Sequence, residues 1–139
     1  MPVSRKGEKM TCPDIQSWLH EAKAAPDAAK CGMYLVHNGV VRESARAAVR
    51  SGAEDTEPVT GMDFSYDAAK VGAAAERARA LPGIYYIRVW LNSGRLLPGD
   101  DLMLVLVGGD IRPRVIAALE SLVEELKTSC VTERELFRD

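Results

Sequence analysis

Two cationic residues stand at opposite ends of one helical pattern, and their chemistry suits a site for an anionic ligand. Arg112 lies where the pattern starts and Lys127 where it ends. A guanidinium binds phosphate bidentately, whereas a lysine amine can act as an acid, a base or a transient nucleophile. The fifteen positions between Arg112 and Lys127 correspond to roughly 22 Å of helix. One small ligand therefore cannot touch both within one subunit, and a shared type of site requires two copies of the chain, as in a symmetric dimer.

The same region also has explanations that involve no ligand. Lys127 at a helix C-terminus interacts favourably with the helix dipole, whatever its function. Gly108 and Gly109 precede the helix and could hold a phosphate at its N-terminus, but an ordinary strand-to-helix turn also uses glycine. The turn is the favoured interpretation of the two glycines, and the sequence leaves both interpretations of Lys127 open.

Three arginines spaced four residues apart form a second cationic group. Arg42 follows a predicted strand, and Arg42, Arg46 and Arg50 share one face if this stretch is helical. A solvated face is the favoured interpretation. The alternative is an anion-binding edge, because arginine matches the geometry of phosphate.

Composition and missing motifs argue against several classes of function. The net charge of −2 gives no general attraction to nucleic acid, and no apolar run approaches the roughly 18 residues of a membrane span. Three cysteines without CxxC spacing and two histidines argue against a metal centre or a histidine-based triad. Phosphate-loop, dinucleotide-binding, zinc-protease and nucleophile-elbow motifs are absent. We therefore expect no metal, no cofactor, no nucleic acid and no membrane partner, and, without a secretory signal, a reduced cytoplasmic protein.

A fold has to position the cationic residues, and the pattern along the chain predicts one. Residues 1–10 are polar and basic and are expected to be flexible, whereas residues 11–139 are expected to form a single domain. Apolar periodicity, capping residues and turn residues define its elements. They are helices over 11–25 (capped by Thr11 or Cys12), 68–81 (capped by Asp67) and 112–127, and strands over Cys31–Val41, Val59–Tyr66, Ile84–Leu91 and Leu102–Val107.

The last predicted strand and helix are the centre of the fold. Leu102–Val107 is apolar throughout, which is typical of a strand buried on both faces. Asp110 is the predicted N-cap of the following helix, and the tail 128–139 is expected to be irregular or short-helical. Strands joined by short turns cannot be parallel neighbours. The order of elements therefore predicts an α+β fold, with a mostly antiparallel sheet and helices packed on it.

Four segments resemble the MoaE family, the large, catalytic subunit of molybdopterin synthase. They are N-G-V-V-R at 38–42, F-S-Y at 64–66, G-R-L-L-P-G-D at 94–100, and the last strand with Arg112 and L-K-T at 126–128. The resemblance covers about Gly32–Lys127 and implies an α/β-hammerhead fold and a homodimer within a heterotetramer. It also implies a ubiquitin-like small subunit, whose C-terminal Gly-Gly thiocarboxylate donates sulfur to cyclic pyranopterin monophosphate to form molybdopterin.

The resemblance also implies roles for individual residues. Lys127 is similar to the family's catalytic lysine at the end of the long helix. Arg42, with Val40 and Val41 before it, resembles a substrate-binding stretch. Arg112 resembles an arginine that the family contributes across the dimer.

Three positions differ from the family's pattern. Ile111 stands where the family has a histidine, Val40 where it has a lysine, and Arg134 where it has a second lysine in the tail. We keep these positions as candidate substrate contacts and expect Arg46 or Arg50 to supply a compensating cation. Two alternatives to the enzyme stay open. One is a dimeric homologue that binds a pterin phosphate or a ubiquitin-like partner without turnover, and the other is an assembly dimer without a ligand.

Overall fold

The structure, a computed structural model, describes residues 8–43 and 58–137. These residues form two three-stranded antiparallel sheets and three α-helices, which confirms the predicted α+β fold with antiparallel strands and packed helices. In chain order the elements are α1 (Ile15–Lys23), a 3₁₀ helix (Ala28–Lys30), β1 (Met33–Val40), β2 (Val59–Tyr66), α2 (Ala68–Arg79), β3 (Ile84–Leu91), β4 (Gly94–Leu96), β5 (Asp101–Gly109), α3 (Arg112–Glu125), a π-helical turn (Leu126–Cys130) and β6 (Val131–Phe137).

The first sheet is built on β5, which lies between β1 and β3. Every residue from Leu102 to Val107 is buried, as predicted for a strand that is covered on both faces. The strand runs two residues further than predicted, because Gly108 and Gly109 still pair with both neighbouring strands. A Cβ at Gly108 would lie 2.6 Å from the ring of Tyr34. Glycine is therefore required there by close packing inside the sheet rather than by a turn.

Side chains of β5 alternate between two helix layers. Leu104 and Leu106 pack against Trp18 of α1 on one face of the sheet. Leu102 and the odd-numbered residues from Met103 to Val107 belong to the main core, together with buried residues of α2 and α3. The second sheet contributes Phe64 and Leu96 to this main core. The β5 strand is thus the element on which both cores are assembled.

Helices α1 and α3 are capped differently from the prediction. Asp14 caps α1 by accepting a hydrogen bond from the backbone N–H of Ser17 (3.1 Å), so the predicted cap at position 11 or 12 is wrong. Asp110 precedes the cap position of α3, which has no side-chain cap bond. Its carboxylate instead accepts hydrogen bonds from the backbone N–H of Ile111 (2.7 Å) and the guanidinium of Arg114 (2.8 Å). The predicted cap at Asp110 is therefore also wrong.

The tail forms a strand, so the prediction of an irregular or short-helical tail is wrong. Val131–Phe137 pairs with β2 in a sheet of order β4-β2-β6. Its sequence, V-T-E-R-E-L-F, lacks a clean apolar alternation, and its backbone pairing with β2 holds it in place. The three-residue strand β4 was not predicted either, because so short a segment has no detectable period.

One stripe of α3 faces the main core, as its periodicity predicts. Val115, Ala118 and Leu122 are buried on this stripe. The helix does not stop after its last α-helical turn but continues as the π-helical turn Leu126–Cys130, which leads directly into β6. A π turn holds more residues than an α turn, and such turns are frequent at functional sites.

The replacement Asp67→Ala is expected to lower the free energy of unfolding by about 0.5–2 kcal/mol, because it removes a helix cap. As predicted, Asp67 caps α2, and its carboxylate accepts from the backbone N–H groups of Ala69 (3.0 Å) and Lys70 (3.2 Å). Asp27→Ala is the matched control, since Asp27 precedes the 3₁₀ helix without a side-chain cap bond. Equal losses for the two variants in urea denaturation would contradict the capping role.

Candidate functional site

A pocket of about 490 Å³ lies where the end of β1, the π-helical turn and β6 meet. It contains four of the residues that the sequence singled out, namely Val40, Val41, Arg42 and Lys127. The complete lining is His37, Gly39, Val40, Val41, Arg42, Met62, Leu102, Met103, Lys127, Glu133 and Glu135. Residues that are far apart in sequence therefore contribute two cations, two carboxylates and an imidazole to one cavity.

The loop before β5 fixes the position of the Arg42 backbone at the pocket rim. Val41 is buried, its N–H donates to the carbonyl of Asp100 (2.9 Å), and its carbonyl accepts from the N–H of Gly99 (2.8 Å). The carboxylate of Asp100 accepts from the backbone N–H of Leu97 (2.7 Å), which is the main reason why the pKa of Asp100 lies below its ordinary value. The P-G-D turn in the sequence thus holds the backbone next to Arg42 in place.

Lys127 reaches the pocket from the π-helical turn and is partly buried. The turn is anchored in the main core at both ends by the buried side chains of Leu126 and Cys130. Burial, and secondarily the charge of Glu125, raises the pKa of the Cys130 thiol. The thiol form is therefore favoured, and Cys130 packs as a small residue of the main core.

Strand β6 lines the pocket with negative charge. Glu133 and Glu135 line it, and one carboxylate oxygen of Glu133 (Oε1) is buried without a hydrogen-bond partner among the described residues. Arg134 lies between them in a strand whose side chains alternate, so it projects from the opposite face. On that face its guanidinium forms a salt bridge with the carboxylate of Asp63 (3.2 Å), and Arg95 forms another with the same carboxylate (3.1 Å). These two arginines, Arg95 first, lower the pKa of Asp63.

His37 is a pocket residue that the sequence reasoning did not select. It lies on the inner face of β1 opposite Val105, and its Nε2 is buried without a hydrogen-bond partner in the described part of the chain. Burial lowers the pKa of His37, and the positive charge of Lys127 lowers it further. The imidazole is therefore neutral near pH 7. A lone histidine within an apolar strand was the only signal, and that pattern is also typical of a core histidine.

The remaining predicted residues do not line this pocket in one subunit. Arg112 and Ile111 are exposed at the start of α3, at the other end of the helix from Lys127. This position agrees with the helix-length argument that one ligand cannot touch both ends. Arg46 and Arg50 lie outside the described residues.

The lining supports anion binding and proton transfer. Arg42 and Lys127 can hold an anionic group, the two glutamates limit how much negative charge the cavity accepts, and His37 can exchange a proton near neutral pH. Within residues 8–43 and 58–137, no group of three or more histidine, cysteine or acidic side chains is arranged to hold a metal ion. None of the described helices has the length and apolar character to cross a bilayer.

The sequence matches the family model "MoaE protein" over residues 11–129, which is most of the chain. Among proteins with curated descriptions, none matches it.

Solved structures with a similar fold include proteins from three bacteria. Molybdopterin synthase from Staphylococcus aureus aligns with a TM-score of 0.69 and 17% identity, covering 98% of this chain and 95% of that chain. A MoaE protein from Burkholderia ambifaria aligns with a TM-score of 0.66 and 20% identity, covering 95% and 86%. A complex of subunits 1 and 2 of molybdopterin-converting factor from Helicobacter pylori aligns with a TM-score of 0.64 and 19% identity, covering 89% and 76%. At these identities the similarity establishes the fold alone.

Proposed function

The chain belongs to the MoaE family, and from this premise we propose that it is the large subunit of a molybdopterin synthase. The reaction transfers sulfur from the C-terminal thiocarboxylate of a small subunit to cyclic pyranopterin monophosphate, and no cofactor is involved. The observation that carries the proposal is the presence of Arg42 and Lys127 in one pocket. These two residues come from elements that are separated by most of the chain.

The two cations have different surroundings, and we assign them different roles. Arg42 is exposed at the rim, where a guanidinium can bind the phosphate of a substrate bidentately. Lys127 is partly buried and lies beside His37, and its amine can serve as acid, base or transient nucleophile at the reacting carbon. The phosphate is therefore proposed to bind at the rim and the reacting carbon to lie deeper, next to Lys127.

The proposed partner is a ubiquitin-like small subunit that ends in Gly-Gly. Glycines have no side chains, so such a tail can enter a narrow cavity in an extended conformation. The similar Helicobacter pylori structure is a complex of two subunits, which supports a partner of this kind. We also propose a cytoplasmic homodimer, in which Arg112 and Ile111 of one copy approach the pocket of the other.

A second candidate function is binding without turnover, and the pocket itself gives a reason to test it. Glu133 and Glu135 oppose an anionic ligand, and Ile111 can neither bind phosphate nor transfer a proton. In this alternative the protein is a dimer that binds the pterin phosphate or the Gly-Gly tail but does not exchange sulfur. Affinity for the precursor would then be retained while no product is formed.

The two functions are separated by one assay with two measurements. The purified protein is mixed with cyclic pyranopterin monophosphate and a thiocarboxylated ubiquitin-like protein that ends in Gly-Gly. Product formation is followed by mass spectrometry, and precursor binding by calorimetry. We expect product with a dithiolene group. Binding without product would replace the enzyme by the second candidate, and the absence of both would reject both functions.

Arg42→Ala is expected to weaken binding of the precursor about 10- to 100-fold, because a hydrogen bond to a charged group contributes about 1.5–3 kcal/mol. Arg134→Ala removes an arginine that pairs with Asp63 on the other face of the sheet. We expect this control to keep the affinity within about twofold. Calorimetric titration measures both, and equal losses for the two variants would disprove binding of the phosphate by Arg42.

A further inference from the structure

We propose that His37 is the general base that takes a proton from water as the water attacks the acyl carbon of the sulfur donor. This inference rests on the proposed function. Removing sulfur from a thiocarboxylate leaves an acyl carbon that must gain an oxygen atom. Water can supply this oxygen if a neighbouring group accepts its proton. Among the described residues that line the pocket, the imidazole of His37 is suited to this purpose.

The position of the imidazole supports this role. His37 and Gly39 are two residues apart on β1, so both face the pocket, and a Cβ at Gly39 would lie 3.6 Å from Nε2 of His37. The same Cβ position lies 3.0 Å from Cγ of Met103, so Gly39 lets the backbone of β1 pack closely beside Nε2 in the pocket lining. Buried polar atoms without partners are uncommon in proteins, and Nε2 is one of them among the described residues. A bond to a bound reactant would satisfy this atom.

Burial and the neighbouring charges keep His37 neutral before the step and can stabilise the charges that develop during it. Burial of the ring lowers the pKa of His37 most, and the charge of Lys127 lowers it further. Other charged groups also face the ring. Glu120 and Glu124 of α3 line a shallow cleft with His37, while Glu133, Glu135 and Arg42 line the main pocket. The carboxylates can stabilise the imidazolium once it forms, and Lys127 can stabilise an oxyanion on the acyl carbon.

The proposed step conserves atoms and electrons. Sulfur is first bonded both to the acyl carbon and to the substrate carbon. A water oxygen then bonds to the acyl carbon, and its proton moves to Nε2 of His37. The bond between the acyl carbon and sulfur breaks, and its electron pair leaves with sulfur as a thiolate on the substrate. The acyl group departs as a carboxylic acid, which loses the second proton of the water to solvent and becomes a carboxylate. The imidazolium returns the first proton to solvent, and no oxidant or reductant is needed.

The test compares His37→Asn with wild type in single turnovers of the thiocarboxylated partner and the precursor. Asparagine keeps polarity and approximate size but cannot act as the base. We expect the rate of product release to fall about 10²–10⁴-fold, with precursor affinity within twofold. The covalent adduct between partner and precursor should accumulate and be detected by mass spectrometry. In ¹⁸O water, the wild-type reaction should label the partner's released C-terminal carboxylate.

Two further measurements distinguish a base from a merely structural residue. The wild-type rate should be constant near pH 7 and fall at acidic pH, because the pKa of His37 is lowered from its ordinary value by burial and by Lys127. Added imidazole should partly restore His37→Ala. The control His20→Asn, at an exposed position on α1, should behave as wild type.

The outcomes separate the inference from the function on which it rests. An active wild type whose rate, pH profile and adduct level are unchanged in His37→Asn would overturn the role of His37 alone. A wild type that transfers no sulfur would overturn the proposed function, and the role of His37 with it.

Discussion

Lys127→Ala is expected to lower the single-turnover rate of sulfur transfer about 10²–10⁴-fold. Lys127 lines the pocket, and its amine can serve as acid, base or nucleophile. Its removal takes away both the proton chemistry and the charge beside His37. Because Lys127 is only partly buried, folding should be largely preserved, and circular dichroism provides the check.

Lys127→Arg separates the two contributions of the lysine. Arginine keeps the charge but stays protonated at all relevant pH values, so substrate binding should survive while turnover does not. Lys23→Ala, at the exposed end of α1, is the matched control and should retain the wild-type rate. Full activity of Lys127→Ala would refute the catalytic assignment. It would leave only the interaction with the helix dipole as an explanation for this lysine.

Leu126→Ala is expected to lower the free energy of unfolding by about 2–5 kcal/mol, which is among the largest effects of any single substitution in this chain. The side chain of Leu126 is fully buried in the main core. Truncation removes apolar contacts and leaves a cavity at the point where α3 passes into the π-helical turn. Urea denaturation with linear extrapolation measures the change.

Leu97→Ala is the control for Leu126→Ala, because it is the same chemical change at a side chain that is 54% exposed. We expect it to change the free energy of unfolding by no more than about 0.5 kcal/mol. A small loss for Leu126→Ala would mean that the turn is not anchored by this leucine. In that case the position of Lys127 would need another explanation.

Elements with a strong local signal could be predicted from the sequence. The unbroken apolar run of Leu102–Val107 identifies the central strand, because only a strand covered on both faces tolerates it. Asp67 before an alanine-rich stretch identifies the cap and start of α2. The placement of Arg112 and Lys127 at opposite ends of one helix also follows from periodicity alone.

Features that depend on tertiary partners could not be predicted in the same way. The charged strand β6 exists because β2 offers it a pairing edge, and no property of T-E-R-E indicates this. Asp14 rather than an earlier residue caps α1, although the residues before it include other capping types. His37 belongs to the pocket only because the tail and the π-helical turn close over the end of β1. Its chemistry is therefore visible only after folding.

The π-helical turn has a consequence for how the electrostatics of this cavity can be altered. Side chains of a strand alternate, so the number of residues in Leu126–Cys130 decides which members of β6 look inward. If a deletion in this turn shifted β6 by one residue along β2, Arg134 would replace Glu133 and Glu135 as the inward-facing charge. The sign of the charge that β6 presents to the pocket thus depends on the length of the π-helical turn. A single insertion or deletion there can invert this charge without the exchange of any amino acid.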